Sequence, residues 1–188
     1  MDLPWGDEKT IKFITNVGLV TTRGPNGDDI MACEWTHQVS YKPGYIAVCI
    51  GHGKASAENI RASKEFGVGI SSTDQNVLAS VAGGSSGKDV DKIGVLKELG
   101  FKFHNAKKIK CLMVEGTVLN IECRLLKEVE LGDHIMFVGE ILEADLNSSK
   151  EPLAYHQVKY WKIGENIPKP NQHELESINE VVEKHRKK

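Results

Sequence analysis

The sequence predicts a mainly β chain, an antiparallel barrel with a few helices attached. Three observations carry that expectation. Ile14–Thr22, Ile30–Trp35, Tyr45–Ile50, Phe66–Ser71, Leu112–Arg124, His134–Ala144 and Gln157–Ile163 are short runs rich in Val, Ile, Thr and aromatic residues. Turn formers separate them, at Gly24-Pro25-Asn26-Gly27, Lys42-Pro43-Gly44 and Gly132-Asp133. Their spacing is irregular, which suits an antiparallel barrel better than a regular βαβ array.

Taking the elements in order, Val114–Leu125 shows the clearest period of two. Val114, Gly116, Val118 and Asn120 share one face, and Glu115, Thr117, Leu119, Ile121, Cys123 and Leu125 the other. Ser56–Glu65 reads as a helix with Ser56 as a candidate N-cap. Asp74–Ala82 places Val77, Leu78 and Val81 at helical spacing. After Pro168 and Pro170, Gln172–His185 repeats apolar residues at Leu175, Ile178 and Val182, an amphipathic helix whose stripe needs a cover. One domain over residues 1–165 with a linker and terminal helix over 166–188 fits a chain of 188 residues.

The bulk numbers narrow the function classes. A formal charge of −2 gives no electrostatic reason to expect a nucleic-acid partner. The basic end (Lys184, Arg186, Lys187, Lys188) is short and offset by Glu180 and Glu183, a solvated helix end. No uncharged stretch is long enough to cross a bilayer, and the start MDLPWGDEKT lacks the basic and apolar regions of a secretory signal. Cys33, Cys49, Cys111 and Cys123 sit among apolar residues with no CxxC pair, which suggests buried thiols in a reducing, cytoplasmic compartment. Seven histidines without ligand spacing give no metal centre.

No GxGxxG opens a helix after a strand, and GxSxG and HExxH are absent. Gly83-Gly84-Ser85-Ser86-Gly87-Lys88 is not a P-loop, because Asp89 follows the lysine and a helix precedes the glycines. Two anion-cradling elements remain. Gly51-His52-Gly53-Lys54-Ala55-Ser56 joins a strand to a helix start, where glycines, a cation, a hydroxyl and free N–H groups suit a phosphate. Ser85–Lys92 offers small residues, the Ser86 hydroxyl and Lys92. Taken singly, the first reads as a plain strand–helix loop and the second as an exposed turn.

In order and approximate spacing, several segments together resemble the flavin reductase-like family, over most of residues 13–164. Val17–Thr22 resembles its opening strand, and Met31–Ser40 the small-residue segment that lines the flavin ring, leading into the Ser-x-x-Pro turn at Ser40–Pro43. Ser56-Ala57-Glu58-Asn59-Ile60 is similar to its Thr-x-x-Asn-Ile helix start, and Ser86–Lys92 to its Ser-Gly…Asp-Lys element. Gly132–Glu140 is similar to its Gly-Asp-His…Val-Gly-Glu strand, and Leu153–Gly164 to its closing strand. Flavoredoxin-like and ferric-reductase-like members look nearest.

The resemblance implies an FMN-binding split barrel of Greek-key antiparallel strands. It implies a homodimer, and an oxidoreductase passing electrons from NADH or NADPH through FMN to ferric iron, free flavin or an acceptor protein. An FMN-binding electron carrier without its own nicotinamide site is the alternative, and a cofactor-free barrel a third reading. Ser56, Ser86, Lys92 and the amides around Gly51, His52 and Lys54 would hold the phosphate. Backbone N–H groups over Cys33, Glu34, Trp35 and Thr36 would face the ring's pyrimidine edge. Trp35 would wall the ring, His134 would contact it, and Trp161 would complete the pocket, from either subunit. No side chain is assigned a catalytic role, since hydride transfer to a flavin needs no base from the protein. The chain departs from the family pattern at Asp29, where Asn is frequent, and at Gly44, Ser56 and Ile93.

Overall fold

The computed structural model describes residues 1–187; Lys188, the last of the basic tail, lies outside the described residues. Strands β1 (Thr15–Asn16), β2 (Gly18–Gly24), β3 (Gly27–Cys33), β4 (Thr36–Ser40) and β5 (Tyr45–Gly51) come first. Helix α1 (Ala55–Ser63), strand β6 (Glu65–Ile70), and helices α2 (Asn76–Gly84) and α3 (Lys92–Glu98) follow. Strands β7 (Phe103–Asn105), β8 (Leu112–Val114), β9 (Leu119–Leu131), β10 (His134–Leu146), β11 (Leu153–His156) and β12 (Lys159–Lys162) precede the last helix, α4 (Gln172–Lys184).

Seven strands form one antiparallel sheet in the order β3-β2-β6-β9-β10-β5-β4. Hairpins β2–β3 and β4–β5 follow each other directly, and α1 carries the chain from β5 past the β9–β10 pair to β6. The order is therefore non-sequential, as a Greek-key path requires. The two edge strands, β3 and β4, are consecutive in the chain. Only Glu34 and Trp35 separate Cys33 from Thr36, so these ends of the sheet lie at most roughly 11 Å apart. The sheet therefore curls until its edges meet at that joint without a ladder between them: a barrel split along one seam. A smaller sheet, β1-β11-β12, and a ribbon, β7-β8, complete the strands.

Two apolar clusters hold the curl. Val20, Val48, Ile50, Phe66, Val68, Cys123 and Phe137 fill its inside. Leu19, Ile30, Leu78, Leu96 and Val114 seal its outer face beneath α2 and α3. Leu19 and Val20 are adjacent and both fully buried, because β2 is covered on both faces.

Three expectations are corrected and one element is added. The predicted strand Leu112–Arg124 breaks between β8 and β9, where Gly116 takes φ +82°, a conformation that favours glycine. The predicted strand Gln157–Ile163 is the second half of a hairpin whose turn, Gln157-Val158, holds both residues at positive φ. Helix α1 starts earlier than expected: its N-cap is Lys54, and Ser56 lies inside the first turn. Helix α3 begins at Lys92, the last residue of the stretch whose plain reading is an exposed turn, and runs on through residues for which no element is expected; Asp91 caps it by accepting from the Gly94 N–H at 2.9 Å. The terminal helix is as the periodicity predicts, with a capping box at Asn171 and Glu174. Leu175, Ile178, Val181 and Val182 are left exposed along its apolar stripe.

Candidate functional site

The seam between β3 and β4 gathers most of the residues expected to face a ring. Cys33 is buried, its Sγ 3.6 and 3.4 Å from the carbonyls of Trp35 and Cys49, which share its one thiol proton. The Cys49 N–H donates to the Trp35 carbonyl at 3.0 Å, and the Thr36 hydroxyl to the Cys33 carbonyl at 3.0 Å. These bonds hold the joint in one shape while the Glu34 and Trp35 N–H groups have no acceptor among the described residues. With its base pinned, Trp35 turns outward and is 48% exposed. Burial removes water from the Cys33 thiol and pushes its pKa up to about 11, so it is an inert packing group.

Trp35 does not stand alone. Its ring centroid lies 4.5 Å from that of His134, the two planes tilted by 46°. His134 is the first residue of β10 and pairs with Gly51, the last of β5. The Asp133 carboxylate, itself exposed, lies 2.8 Å from its Nδ1. The hydrogen bond from His134 in turn holds the Asp133 carboxyl below the usual range. A side chain at Gly51 would lie 3.8 Å from Lys54 Cε and 3.9 Å from His134 Nε2. Trp35, His134, Gly51 and Lys54 therefore share one rim. His52 lies beside it, its Nε2 3.2 Å from the Gly132 carbonyl and 3.4 Å from Glu130. Lys54 is exposed at the start of α1, where the first N–H groups have no partner within the helix.

Ser56 and Lys92 are also brought together, and the anion they share belongs to the chain. The Ser56 hydroxyl donates to Asp29 Oδ2 at 2.6 Å. Lys92 Nζ stands 3.0 Å from Asp29 Oδ1, off the line of a well-aimed hydrogen bond, so this contact is ionic more than directional. All three residues are at most 3% exposed. Gly87 packs against the carboxylate, where a Cβ would come within 2.2 Å of Oδ1, so only glycine fits there. The Ser86 hydroxyl accepts from the Lys88 N–H at 3.1 Å, and the Lys88 ammonium is taken by Glu58 at 2.5 Å. A cleft of about 480 Å³ between Asn26, Asp28, Lys88, Asp91 and Lys97 opens beside this group and includes none of the seam residues.

Trp161 has its ring against that of His156, the two centroids 6.1 Å apart. It lies on β12 in the smaller sheet, its N–H donating to the His156 carbonyl at 2.7 Å, and is 45% exposed. Sequence reasoning missed Asp133 as the partner of His134, and it marked Asp29 only as an oddity. The available signal for Asp29 was a carboxylate immediately before the buried Ile30 in a run that forms a strand.

Comparison with known proteins places this geometry. A model of the flavin reductase like domain matches residues 11–164. The chain belongs to the flavin reductase-like family. It is thus a flavin-linked oxidoreductase with a split-barrel fold. Among relatives of this flavin reductase-like chain is the ferric-chelate reductase (NAD(P)H) of Archaeoglobus fulgidus. It is 26% identical over 128 residues, covering 68% of this chain and 73% of that protein. The NADH-dependent FAD reductase of Streptomyces globisporus is 25% identical over 144 residues, 76% of each chain. The flavoredoxin of Desulfovibrio vulgaris (Miyazaki F) superposes with a TM-score of 0.75 at 24% identity, covering 92% of this chain and 98% of that one. No helix among the described residues is long and apolar enough to cross a membrane.

Proposed function

We propose that this member of the family is an NAD(P)H-dependent reductase that binds FMN on the rim of Trp35, His134 and the Gly51–Ser56 turn. Its acceptor would be ferric iron, free flavin or a protein. One observation carries the reading: at the seam, an outward aromatic ring, amides without partners and a glycine-rich helix start meet on one surface. Bound there, flavin would supply the hydride-accepting and electron-donating chemistry. The chain's own part is to orient and to shield. Trp35 offers an apolar face, and the Glu34 and Trp35 N–H groups offer donors for an electron-rich ring edge. His134, with Asp133 beside its Nδ1, adds a polar contact.

The free N–H groups at the start of α1 and the exposed Lys54 are the groups available to a phosphate at this rim. Ser56 and Lys92 support the same helix start from behind, through Asp29. Free, unpaired cysteines support a cytoplasmic location. The exposed stripe of α4 supports a homodimer in which a second copy covers it. Sedimentation at twice the 20.8 kDa chain mass is expected, falling toward one chain mass for Ile178→Glu.

The visible spectrum of the purified protein and an anaerobic titration with NADH and NADPH test the activity. Bleaching of the bound flavin by either nicotinamide is expected. Bleaching only by a partner protein would make the chain an electron carrier. A protein left colourless after dialysis against FMN would remove the flavin assignment altogether. Trp35→Ala is expected to weaken flavin binding roughly 10-fold to 100-fold, the worth of one aromatic stacking contact of about 1–3 kcal/mol, read by fluorescence titration. Unchanged affinity would take Trp35 out of the site.

A further inference from the structure

The contacts around Asp29 bear on which flavins the site accepts, an inference that rests on the flavin reading above. Ser56 has a single hydroxyl proton, and it is committed to Asp29 at 2.6 Å. The Lys92 ammonium has the same carboxylate at 3.0 Å and the Ala82 carbonyl at 3.5 Å. With side chains 2% and 3% exposed, Lys92 and Asp29 form a sealed pair whose charges cancel. Gly87 closes over the same carboxylate, where a Cβ would come within 2.2 Å of Oδ1.

The other cations near the helix start are also occupied or exposed. Lys88 is paired with Glu58 at 2.5 Å, and His52 faces Glu130 and the Gly132 carbonyl. Among the described residues Lys54, exposed, and the first helix N–H groups remain, and an exposed charge contributes little in water. A family pattern with a neutral residue at position 29 would leave the Lys92 charge and the Ser56 proton available to an incoming phosphate. Here the chain fills that role internally.

We infer that Asp29 makes this site nearly indifferent to the terminal phosphate, so that FMN and the phosphate-free riboflavin bind with similar affinity. The isoalloxazine ring and the rim around Trp35 then carry recognition, and Asp29 is the residue that sets specificity.

The test is a fluorescence-quenching titration of the purified protein with riboflavin and with FMN. Each charge-assisted contact to a phosphate is worth roughly tenfold or more in affinity, so a site that gripped the phosphate through two of them would prefer FMN by about 100-fold or more. A preference below about fivefold is expected, and a larger one overturns the inference while leaving the flavin reading intact. If neither flavin binds, the flavin reading itself falls. Asp29→Asn removes the negative charge and leaves the Lys92 charge unbalanced behind α1. FMN affinity is expected to rise about tenfold, with that of riboflavin unchanged. Equal changes for both flavins, or none, would show that Asp29 does not set the preference. Should this variant fail to fold, the wild-type ratio alone decides.

Discussion

Lys92→Ala is expected to cost about 3–5 kcal/mol of folding stability, whereas Lys97→Ala, on the exposed face of the same helix, costs less than about 0.5 kcal/mol. The physical reason is the sealed contact with Asp29. Removing the lysine leaves a carboxylate 3% exposed with only the Ser56 hydroxyl for a partner. Solvation that the buried charge has lost is then no longer offset by an opposite charge. For a domain of this size the loss lowers the melting temperature by roughly 6–20 °C. Calorimetry on the two single variants reads the difference directly. A double variant, Asp29→Leu with Lys92→Met, removes both charges and is expected to recover most of the loss, since two apolar groups need no mutual compensation. A Lys92→Ala protein that melts with the wild type would mean that the pair contributes nothing. A double variant no more stable than Lys92→Ala would trace the loss to packing instead of charge.

Most of the architecture was legible along the chain because burial on one face leaves a period that can be read. Strands β5, β6 and β10 emerge within a residue or two of the expected bounds at both ends, each being a run of apolar residues between turn formers. The terminal helix was equally plain from Leu175, Ile178 and Val182. What stayed hidden depends on contacts between distant residues. The Gln157-Val158 turn carries no glycine or asparagine, so the hairpin it closes has no local signature. Helix α3 is short and begins at a buried lysine, a residue type that reads as surface until its partner Asp29 is known. The rim shared by Trp35, His134, Gly51 and Lys54 was legible as a set of segments, since Met31–Ser40, the Gly51–Ser56 turn and Gly132–Glu140 each carried a motif. That Ser56 and Lys92 would meet on a carboxylate was not, because side-chain direction at the strand end decides it.

Alkaline pH is expected to unfold this protein through its thiols, the other large effect. Cys33, Cys111 and Cys123 are each no more than 3% exposed. Burial, which disfavours the thiolate, pushes Cys33 to about 11 and Cys111 to about 12 from an ordinary 9.0, and Cys123 higher still. The sign follows from linkage. A pKa raised on folding means stability fully present below pH 9 and lost as pH rises toward the folded values, because only the unfolded chain can release the proton there. Each thiol removes up to about 1.4 kcal/mol per pH unit above 9, so three together remove on the order of 5–8 kcal/mol by pH 11, comparable with the whole stability of a domain. Tyr155, also raised by burial, acts in the same direction. Urea midpoints measured from pH 7 to 11 should be level to about pH 9 and then fall steeply. The variant with Cys33, Cys111 and Cys123 all changed to Ala is expected to be less stable at pH 7, because of the cavities, yet flatter above pH 9. A wild-type midpoint that stays level to pH 11 would mean that these thiols ionise as freely in the folded chain as outside it. Cys33 anchors the seam beneath Trp35, so its ionisation also releases the joint on which the outward ring depends.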